Sequence, residues 1–411
     1  MQDCKYVIIG GGLAGGRACD GIRKVDSEGR IVLVTDEPHR PYQRPPLSKG
    51  YLTGKQGLGK VYLKKEAHYG DSQVEILSGV RASQEDPALH SVTLADGRVL
   101  KYEKLLLATG GRARRLSIQG DDLASVFTLR RIEDADEIRE VAASGKRVLV
   151  LGGSFIGSEV AALLAQLGLD VAMVFPGSRL LERVVPEELS AFLHAKYKDN
   201  AVRILTGTKP IRFVGSEAVE QAELDNGEAL PVDLVVMGVG IELNTELARS
   251  AGLELDDRGA VVVNGVLQTS DPDIYAAGDI ASWPSFTFGK RLRVEHWDVA
   301  RGQGMTAGRN MAGEKNAYTA LPYFFSDMFD FSFEVWGDLT SWDQTVLRGT
   351  LEGDSFALYY FDQTKMVGVL AVDRPDEERE PMQHLVRMRV PYEDVAATLR
   401  DEAVGLGRLI D

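Results

Sequence analysis

The sequence predicts an α/β protein: two Rossmann-like dinucleotide-binding folds followed by a smaller α+β C-terminal domain. Three observations predict it. A short apolar run, Lys5-Tyr6-Val7-Ile8-Ile9, breaks at Gly10-Gly11-Gly12-Leu13-Ala14-Gly15 and passes into small and apolar residues that can start a helix. A second run, ending at Leu151, breaks at Gly152-Gly153-Ser154-Phe155-Ile156-Gly157 in the same way, 142 residues later (10 to 152). From Pro322 onward the pattern changes to aromatic-rich short strands closed by two helical stretches. Strand, Gly-x-Gly-x-x-Gly, helix is the dinucleotide fingerprint, and its repetition implies two dinucleotides.

The whole chain sets limits. Its 411 residues exceed one ordinary core, so two or three domains are expected. The net charge of −14 argues against a nucleic-acid partner. No apolar run is long enough to span a membrane. The first strand begins almost at once, which leaves no room for a cleaved leader, and a cytoplasmic location is the expectation. The two cysteines, Cys4 and Cys19, form no Cys-x-x-Cys pair, so a redox dithiol is excluded. Both are expected to be buried beside the first strand and helix.

Each element follows in turn. Gly10 permits the tight turn, Gly12 lets backbone approach a pyrophosphate, and Gly15 lets helix and strand pack closely. Ile31–Val34 reads as the second strand, and Asp36-Glu37 follows roughly twenty residues after the last glycine, where an acid binds ribose. Pro38 to Lys49 carries four prolines and is expected to be a stiff, extended surface path bearing Arg44 and Lys49. Residues 71–103 read as a β-meander, and Lys104–Leu107 as a buried strand ending at Ala108-Thr109-Gly110. The second unit repeats this plan: a helix through about Leu167, a strand at 170–174, a meander over 201–232, and a strand from Asp233 that ends at Gly240. A short strand then closes at Gly278-Asp279, whose carboxylate suits sugar-alcohol hydroxyls, and Arg293-Val294-Glu295-His296-Trp297 follows. Residues 319–411 form the α+β segment, with turns at Gly349 and Glu352-Gly353-Asp354 and helices near 377–387 and 391–402.

These motifs resemble a known family. The paired Rossmann units, Pro-Tyr-Gln-Arg-Pro-Pro-Leu-Ser-Lys, Ala-Thr-Gly, Thr-Ser-Asp-Pro-Asp-Ile-Tyr-Ala-Ala-Gly-Asp and Val-Glu-His-Trp-Asp are similar to those of FAD-dependent NAD(P)H reductases. These are the ferredoxin reductases of bacterial oxygenase systems and their apoptosis-inducing-factor-like kin. The resemblance implies a glutathione-reductase-like architecture: an FAD domain of residues 1–112 and 241–318, an NAD(P)H domain of 113–240, and a C-terminal domain of 319–411. Gly10, Gly12, Leu13, Ala14 and Gly15 would hold the FAD pyrophosphate, and Asp36 or Glu37 its ribose. Arg44, Lys49, Ala108, Thr109 and Gly110 would serve the flavin half, Gly278 and Asp279 the ribityl chain, and His296 and Trp297 the isoalloxazine surroundings. Gly152, Ser154, Phe155, Ile156, Gly157 and Gly240 would line the NAD(P)H site. Lys49 and Glu159 resemble the family's buried pair beside flavin and nicotinamide, with a structural ion pair as the alternative. Glu295 would sit near the nicotinamide amide.

Two departures from the family pattern matter. Phe325 stands where a Trp often stacks near the flavin, offering a π-face without an indole N–H. No carboxylate ends the strand at 170–174; Ser178 and Arg179 could instead receive a 2′-phosphate, which points slightly to NADPH, or Arg179 could be a solvated loop residue. The implied activity is hydride transfer from NAD(P)H to FAD, then electron transfer to a ferredoxin or rubredoxin. The alternatives are a small-molecule acceptor (a quinone, dioxygen or a monodehydroascorbate-like radical) and a redox-responsive interaction protein. Arg112, Arg114, Arg115, Arg130, Arg131, Arg291 and Arg293 are candidate docking cations, in a monomer or homodimer.

Overall fold

In the computed structural model, which describes residues 2–143, 145–353 and 355–410, the chain divides into two compact units. Unit 1 gathers the chain through Arg44 with Gly57–Arg112 and Glu242–Pro322; unit 2 gathers Pro45–Gln56, Ala113–Ile241 and the chain from Tyr323 onward.

Unit 1 is built on a seven-stranded sheet: β1 (Gln2–Ile9), β2 (Ile31–Val34), β3 (Val74–Leu77), β4 (Ala82–Asp86), β5 (Ser91–Leu94), β6 (Val99–Leu107) and the short strand Ile274–Ala276. The spatial order is β3-β2-β1-β6-β5-β4, and Ile274–Ala276 pairs with β6. β1 runs parallel to both β2 and β6, with Val7 opposite Val32 and Leu105. Its end from Tyr6 to Ile9 is wholly buried, as an unbroken apolar run in a sheet covered on both faces should be. The helix α1 (Leu13–Arg23) is crossed at backbone contact by the helix Trp297–Met311: a Cβ added at Gly304 would lie 2.2 Å from the Ala14 carbonyl oxygen.

Residues 71–103 do not form a single meander. Val74–Leu77 joins the main sheet as an edge strand parallel to β2, and only β4, β5 and β6 run antiparallel. Nor is the proline-rich segment a surface path. Tyr42 and Leu47 are buried, and Pro45–Ser48 is a turn of 3₁₀ helix. Prolines forbid a regular helix or strand there, but they do not decide burial. Cys4 and Cys19 are buried and free; burial pushes the Cys19 thiol up to about 12 and the Cys4 thiol up as well.

The meander holds a buried, pH-sensitive carboxyl. Glu85 is buried, its Oε1 accepting from the Tyr102 hydroxyl at 2.6 Å. Burial, with Asp271 and Asp86 nearby, pushes its carboxyl up to about 7 against the pull of the Tyr102 hydrogen bond and His90. The folded state therefore binds the proton more tightly than the unfolded chain, and stability falls as pH rises through the window from the ordinary carboxylate range to about 7. After allowance for solvent screening, roughly 1–3 kcal/mol is lost across that window. Glu85→Gln keeps an acceptor for Tyr102 and removes the charge, so denaturant unfolding between pH 5 and 8 is expected to show a flatter pH dependence than the wild type.

Unit 2 opens with a five-stranded parallel sheet: β7 (Val126–Thr128), β8 (Arg147–Leu151), β9 (Asp170–Phe175), β10 (Arg203–Thr206) and β11 (Leu234–Met237), in the order β10-β9-β8-β11-β7. The helix α2 (Phe155–Gln166) follows β8. Here too the expected meander loses its first strand to the parallel sheet; the antiparallel part is Pro210–Val214, Gln221–Leu224 and Ala229–Pro231. The C-terminal part is an antiparallel sheet of β12 (Tyr323–Met328), β13 (Phe331–Gly337), β14 (Gln344–Gly349), β15 (Phe356–Asp362) and β16 (Lys365–Val372), followed by helices Asp376–Met388 and Tyr392–Arg400. Asp354, the last residue of the expected turn, lies outside the described residues. Buried Arg348 ties this part together, reaching Glu378, the Leu399 carbonyl in the last turn of the helix Tyr392–Arg400, and the carbonyls of Asp401 and Val404 just after it.

Candidate functional site

The first glycine turn has the shape that its sequence demands. Gly10 has φ +122°, and a Cβ there would lie 2.1 Å from the Ala108 carbonyl oxygen. At Gly15 a Cβ would lie 2.0 Å from the Gly10 carbonyl oxygen. Gly12 differs: a Cβ there would meet nothing within 4 Å. Gly10 and Gly15 are thus required by the protein itself, whereas the space beside Gly12 is open, so a ligand can reach the backbone there. Gly12 caps α1 with no side-chain cap and no acid in the first turn, so the N–H groups of Leu13, Ala14 and Gly15 face that space unopposed by negative charge. These residues fit a pyrophosphate.

Beside this seat, β2 ends at Val34 and leads through Thr35 to Asp36, which is exposed, and Glu37, which is buried. Glu37 accepts from the Tyr42 hydroxyl at 2.5 Å and from Arg44 at 2.9 Å, and Arg44 also reaches the Tyr42 oxygen at 3.0 Å. Arg44 is therefore placed by Glu37 and Tyr42, not by the proline run alone. Ala108 continues β6 by donating to the Ile9 carbonyl, and Thr109 and Gly110 are laced to Asn244. Gly278, at φ +82°, donates its N–H to Oε1 of Gln303, a wholly buried side chain on helix Trp297–Met311. That bond sets the turn on which Asp279 stands. Trp297 donates to Gln43 at 3.2 Å, His296 caps the same helix, and Glu295 is ion-paired to Arg293 at 2.6 Å.

Unit 2 repeats the glycine geometry. Gly152 has φ +112° and lies against the Gly238 carbonyl, and a Cβ at Gly157 would be 2.1 Å from the Gly152 carbonyl oxygen. Ser154 is the exposed N-cap of α2, again with no side-chain cap and no acid in the first turn, and Ile156 is exposed beside it. Phe155 packs edge-on against Phe324 at 4.8 Å. Gly240, at φ +94°, is exposed, and its carbonyl accepts from Arg114. This second seat also fits a nucleotide pyrophosphate. At the end of β9, Ser178 bonds to Glu182, and the Arg179 guanidinium is held by the carbonyls of Glu182 and Val185.

Unit 2 also brings Lys49 and Glu159 together. The Lys49 ammonium lies 3.1 Å from Glu159 and 2.7 Å from Asp327, and 5.6 Å from the centre of the Phe325 ring. Glu159 further accepts from the hydroxyls of Ser48 at 2.9 Å and Ser326 at 2.7 Å. One carboxylate thus gathers three side-chain partners from two distant stretches of chain. Asp327, Ser326, Gln303 and Gly238 all escaped sequence reasoning, because each acts through a partner distant in sequence. Of the candidate docking cations, Arg112 pairs with Glu242 and Glu246, Arg293 with Glu295, and Arg115 and Arg291 bond backbone carbonyls. These four are engaged within the protein rather than presented freely.

Comparison with known proteins decides the family. The model of the pyridine nucleotide-disulphide oxidoreductases matches residues 4–304. This chain belongs to that family. A reductase C-terminal domain matches residues 323–410. The chain is 34% identical over 410 residues to putidaredoxin reductase of Pseudomonas putida, covering 98% of this chain and 96% of the relative. It is 32% identical over 381 residues to the ferredoxin–NAD(+) reductase component of a 3-phenylpropionate/cinnamic acid dioxygenase from Photorhabdus laumondii subsp. laumondii, covering 92% and 95%. The solved covalent complex of putidaredoxin reductase with putidaredoxin superposes with a TM-score of 0.93 at 34% identity, covering 100% of this chain and 99% of that one. A ferredoxin reductase from Rhodopseudomonas palustris superposes with a TM-score of 0.92 at 32% identity, covering 99% and 100%. The chain is an FAD-dependent oxidoreductase that uses NAD(P)H. The disulphide of the family name has no counterpart here, since both cysteines are buried singly with raised thiols.

Proposed function

We propose that this family member is the reductase of an electron-transfer pair, taking hydride from NAD(P)H and delivering electrons to a [2Fe–2S] ferredoxin or a rubredoxin. One observation carries the reading: two glycine turns that fit a nucleotide pyrophosphate stand in a chain with no dithiol to receive electrons, so the electrons would leave for an external acceptor. The full-length relatives named as ferredoxin reductases support it. FAD, when bound, supplies the redox chemistry, accepting hydride and releasing single electrons.

The chain's own residues bind and orient. Residues 1–112 with 241–318 would hold FAD, through the N–H groups around Gly12, a ribose contact from Asp36 or Glu37, Arg44, and Asp279 on the turn that Gln303 sets. Residues 113–240 would hold NAD(P)H at Gly152, Ser154 and Gly157. Glu159 holds the Lys49 ammonium, which would lie beside the nicotinamide and supply a fixed positive charge there. Glu295, His296, Trp297 and Phe325 would shape the surroundings of the rings. The reading includes a cytoplasmic location, where NAD(P)H is available; among the described residues no helix is long and apolar enough to cross a membrane.

The test is an anaerobic titration of the purified protein with NADH or NADPH, followed by oxidised [2Fe–2S] ferredoxin. The expected result is a flavin spectrum that bleaches on adding the nucleotide and returns promptly on adding ferredoxin. No flavin spectrum even after adding FAD would overturn the cofactor assignment. Return with a quinone or dioxygen but not with ferredoxin or rubredoxin would move the acceptor to the small-molecule class.

A further inference from the structure

A Rossmann unit that selects NADH over NADPH usually carries its acid at the end of the second strand. Here that place is Phe175-Pro176-Gly177, with no carboxylate. The structure returns one from further along. Leu181 adopts φ +51°, a left-handed conformation rare for leucine, and folds the chain back on itself. Its N–H donates to the Gly153 carbonyl at 2.8 Å, which ties this turn to the glycine loop of the nucleotide seat. The next residue, Glu182, brings its carboxylate back to the strand end. Its Oε1 accepts from the Ser178 hydroxyl at 2.7 Å, and its Oε2 accepts from the Ser178 N–H at 3.2 Å. A Cβ added at Gly177 would sit 2.7 Å from Glu182 Oε2, so the carboxylate lies against the Gly177 backbone and a side chain there would push it aside.

The other groups of the turn agree. The two hydrogen bonds from Ser178 hold the Glu182 carboxyl below its usual range, so it stays charged. Glu182 is exposed, and its two oxygens have capacity beyond the bonds they accept from Ser178. Arg179, the residue that would have received a 2′-phosphate, spends its guanidinium on the carbonyls of Val185 at 2.6 Å and Glu182 at 3.2 Å. Arg183 is the other cation of the turn and is exposed.

We propose that Glu182 is the nucleotide-specificity residue of this enzyme, accepting the ribose 2′- and 3′-hydroxyls of NADH and repelling the 2′-phosphate of NADPH. The proposal rests on reading the Gly152–Gly157 turn as the NAD(P)H seat. It combines attraction to one nucleotide with repulsion of the other, so the discrimination resides largely in a single charge. The slight pointer to NADPH in the bare sequence is thereby reversed, because Ser178 and Arg179 are occupied in positioning the Glu182 turn.

The experiment is anaerobic stopped-flow reduction of the FAD-loaded enzyme by NADH and by NADPH, across concentrations, for wild type, Glu182→Gln, Glu182→Ala, Ser154→Trp and a control on the exposed first turn of the next helix, Glu188→Gln. The wild type should favour NADH by about tenfold or more, and both Glu182 variants should narrow the ratio by about ten- to a hundredfold, as expected for loss of a charged hydrogen bond together with a repulsion. The shift should come from weaker NADH and tighter NADPH binding, with Glu188→Gln keeping the wild-type ratio. A wild-type preference for NADPH, or a loss shared equally by both nucleotides in the Glu182 variants, would overturn the proposal. Ser154→Trp places a bulky side chain from an exposed N-cap position over the seat and should abolish reduction by both nucleotides. If it does so while the Glu182 ratio stays fixed, the specificity proposal alone falls; if Ser154→Trp reacts normally, the nucleotide does not sit here and both readings fall.

Discussion

Gly12→Leu is expected to purify folded but colourless. A Cβ at this position meets no protein atom within 4 Å, so the isobutyl group extends into the open seat rather than into the core. The protein gives up nothing of its own; the pyrophosphate loses both its space and its approach to the N–H groups of α1. Loss of about 1.4 kcal/mol already weakens binding tenfold, and a side chain placed in the ligand's volume exceeds that, so retained FAD should fall below about a tenth of the wild-type content. Flavin absorbance after gel filtration measures this, and circular dichroism shows whether the fold survives. Gly15→Leu is the instructive contrast. Its Cβ would lie 2.0 Å from the Gly10 carbonyl oxygen, so this variant should fail to fold rather than fold empty. If Gly12→Leu keeps its flavin, the open side of Gly12 is not the FAD seat.

That contrast shows what a sequence can reveal of this molecule. The two glycine turns were legible because tight backbone approach leaves glycine no substitute at Gly10, Gly15, Gly152 and Gly157, so the requirement is written in residue type at fixed spacing. Strand existence was legible for the same local reason, but strand pairing was not. Val74–Leu77 and Arg203–Thr206 were both assigned to meanders, although each is a parallel edge strand of a central sheet. A short run of mixed burial reads alike in either setting, and the duplication of the fold duplicated the error. The proline-rich segment was misread because proline restricts conformation without specifying solvent exposure; Tyr42 and Leu47 turn it inward. Glu182 escaped because the acidic residue was sought at the strand end, whereas a left-handed Leu181 delivers it five residues beyond Gly177. Gln303 and Asp327 escaped because nothing near them in sequence announces Gly278 or Lys49.

The Lys49–Glu159 pair was visible only by resemblance, yet its geometry explains why one carboxylate governs it. The Glu159 side chain is 10% exposed, against 44% for Asp327, so the two acids that share the ammonium are not equivalent. Glu159 sits in the lower dielectric and also satisfies Ser48 and Ser326, so it fixes the position of the charge; Asp327 acts through more solvent. Glu159→Gln keeps the shape but turns an acceptor-only group into one whose amide N–H₂ faces donors. The ammonium loses its buried counter-charge, one serine hydroxyl loses its acceptor, and Lys49 is left to the exposed partner. Removing a preorganised electrostatic contact of this kind costs about 10²- to 10³-fold where it acts on the reacting centre, and a shift of Lys49 toward Asp327 retains part of the field, so reduction by NAD(P)H should slow by roughly 10- to 100-fold. The unmet hydrogen bonds should lower stability by about 1–3 kcal/mol. Asp327→Asn should do less on both counts, because solvent already screens that contact. Stopped-flow flavin bleaching and denaturant unfolding measure the two effects on protein whose flavin spectrum shows unit 1 intact. If Glu159→Gln loses stability while the reduction rate holds, the pair is structural. If the rate falls and Asp327→Asn leaves it nearly unchanged, the buried carboxylate is what places the positive charge for hydride transfer.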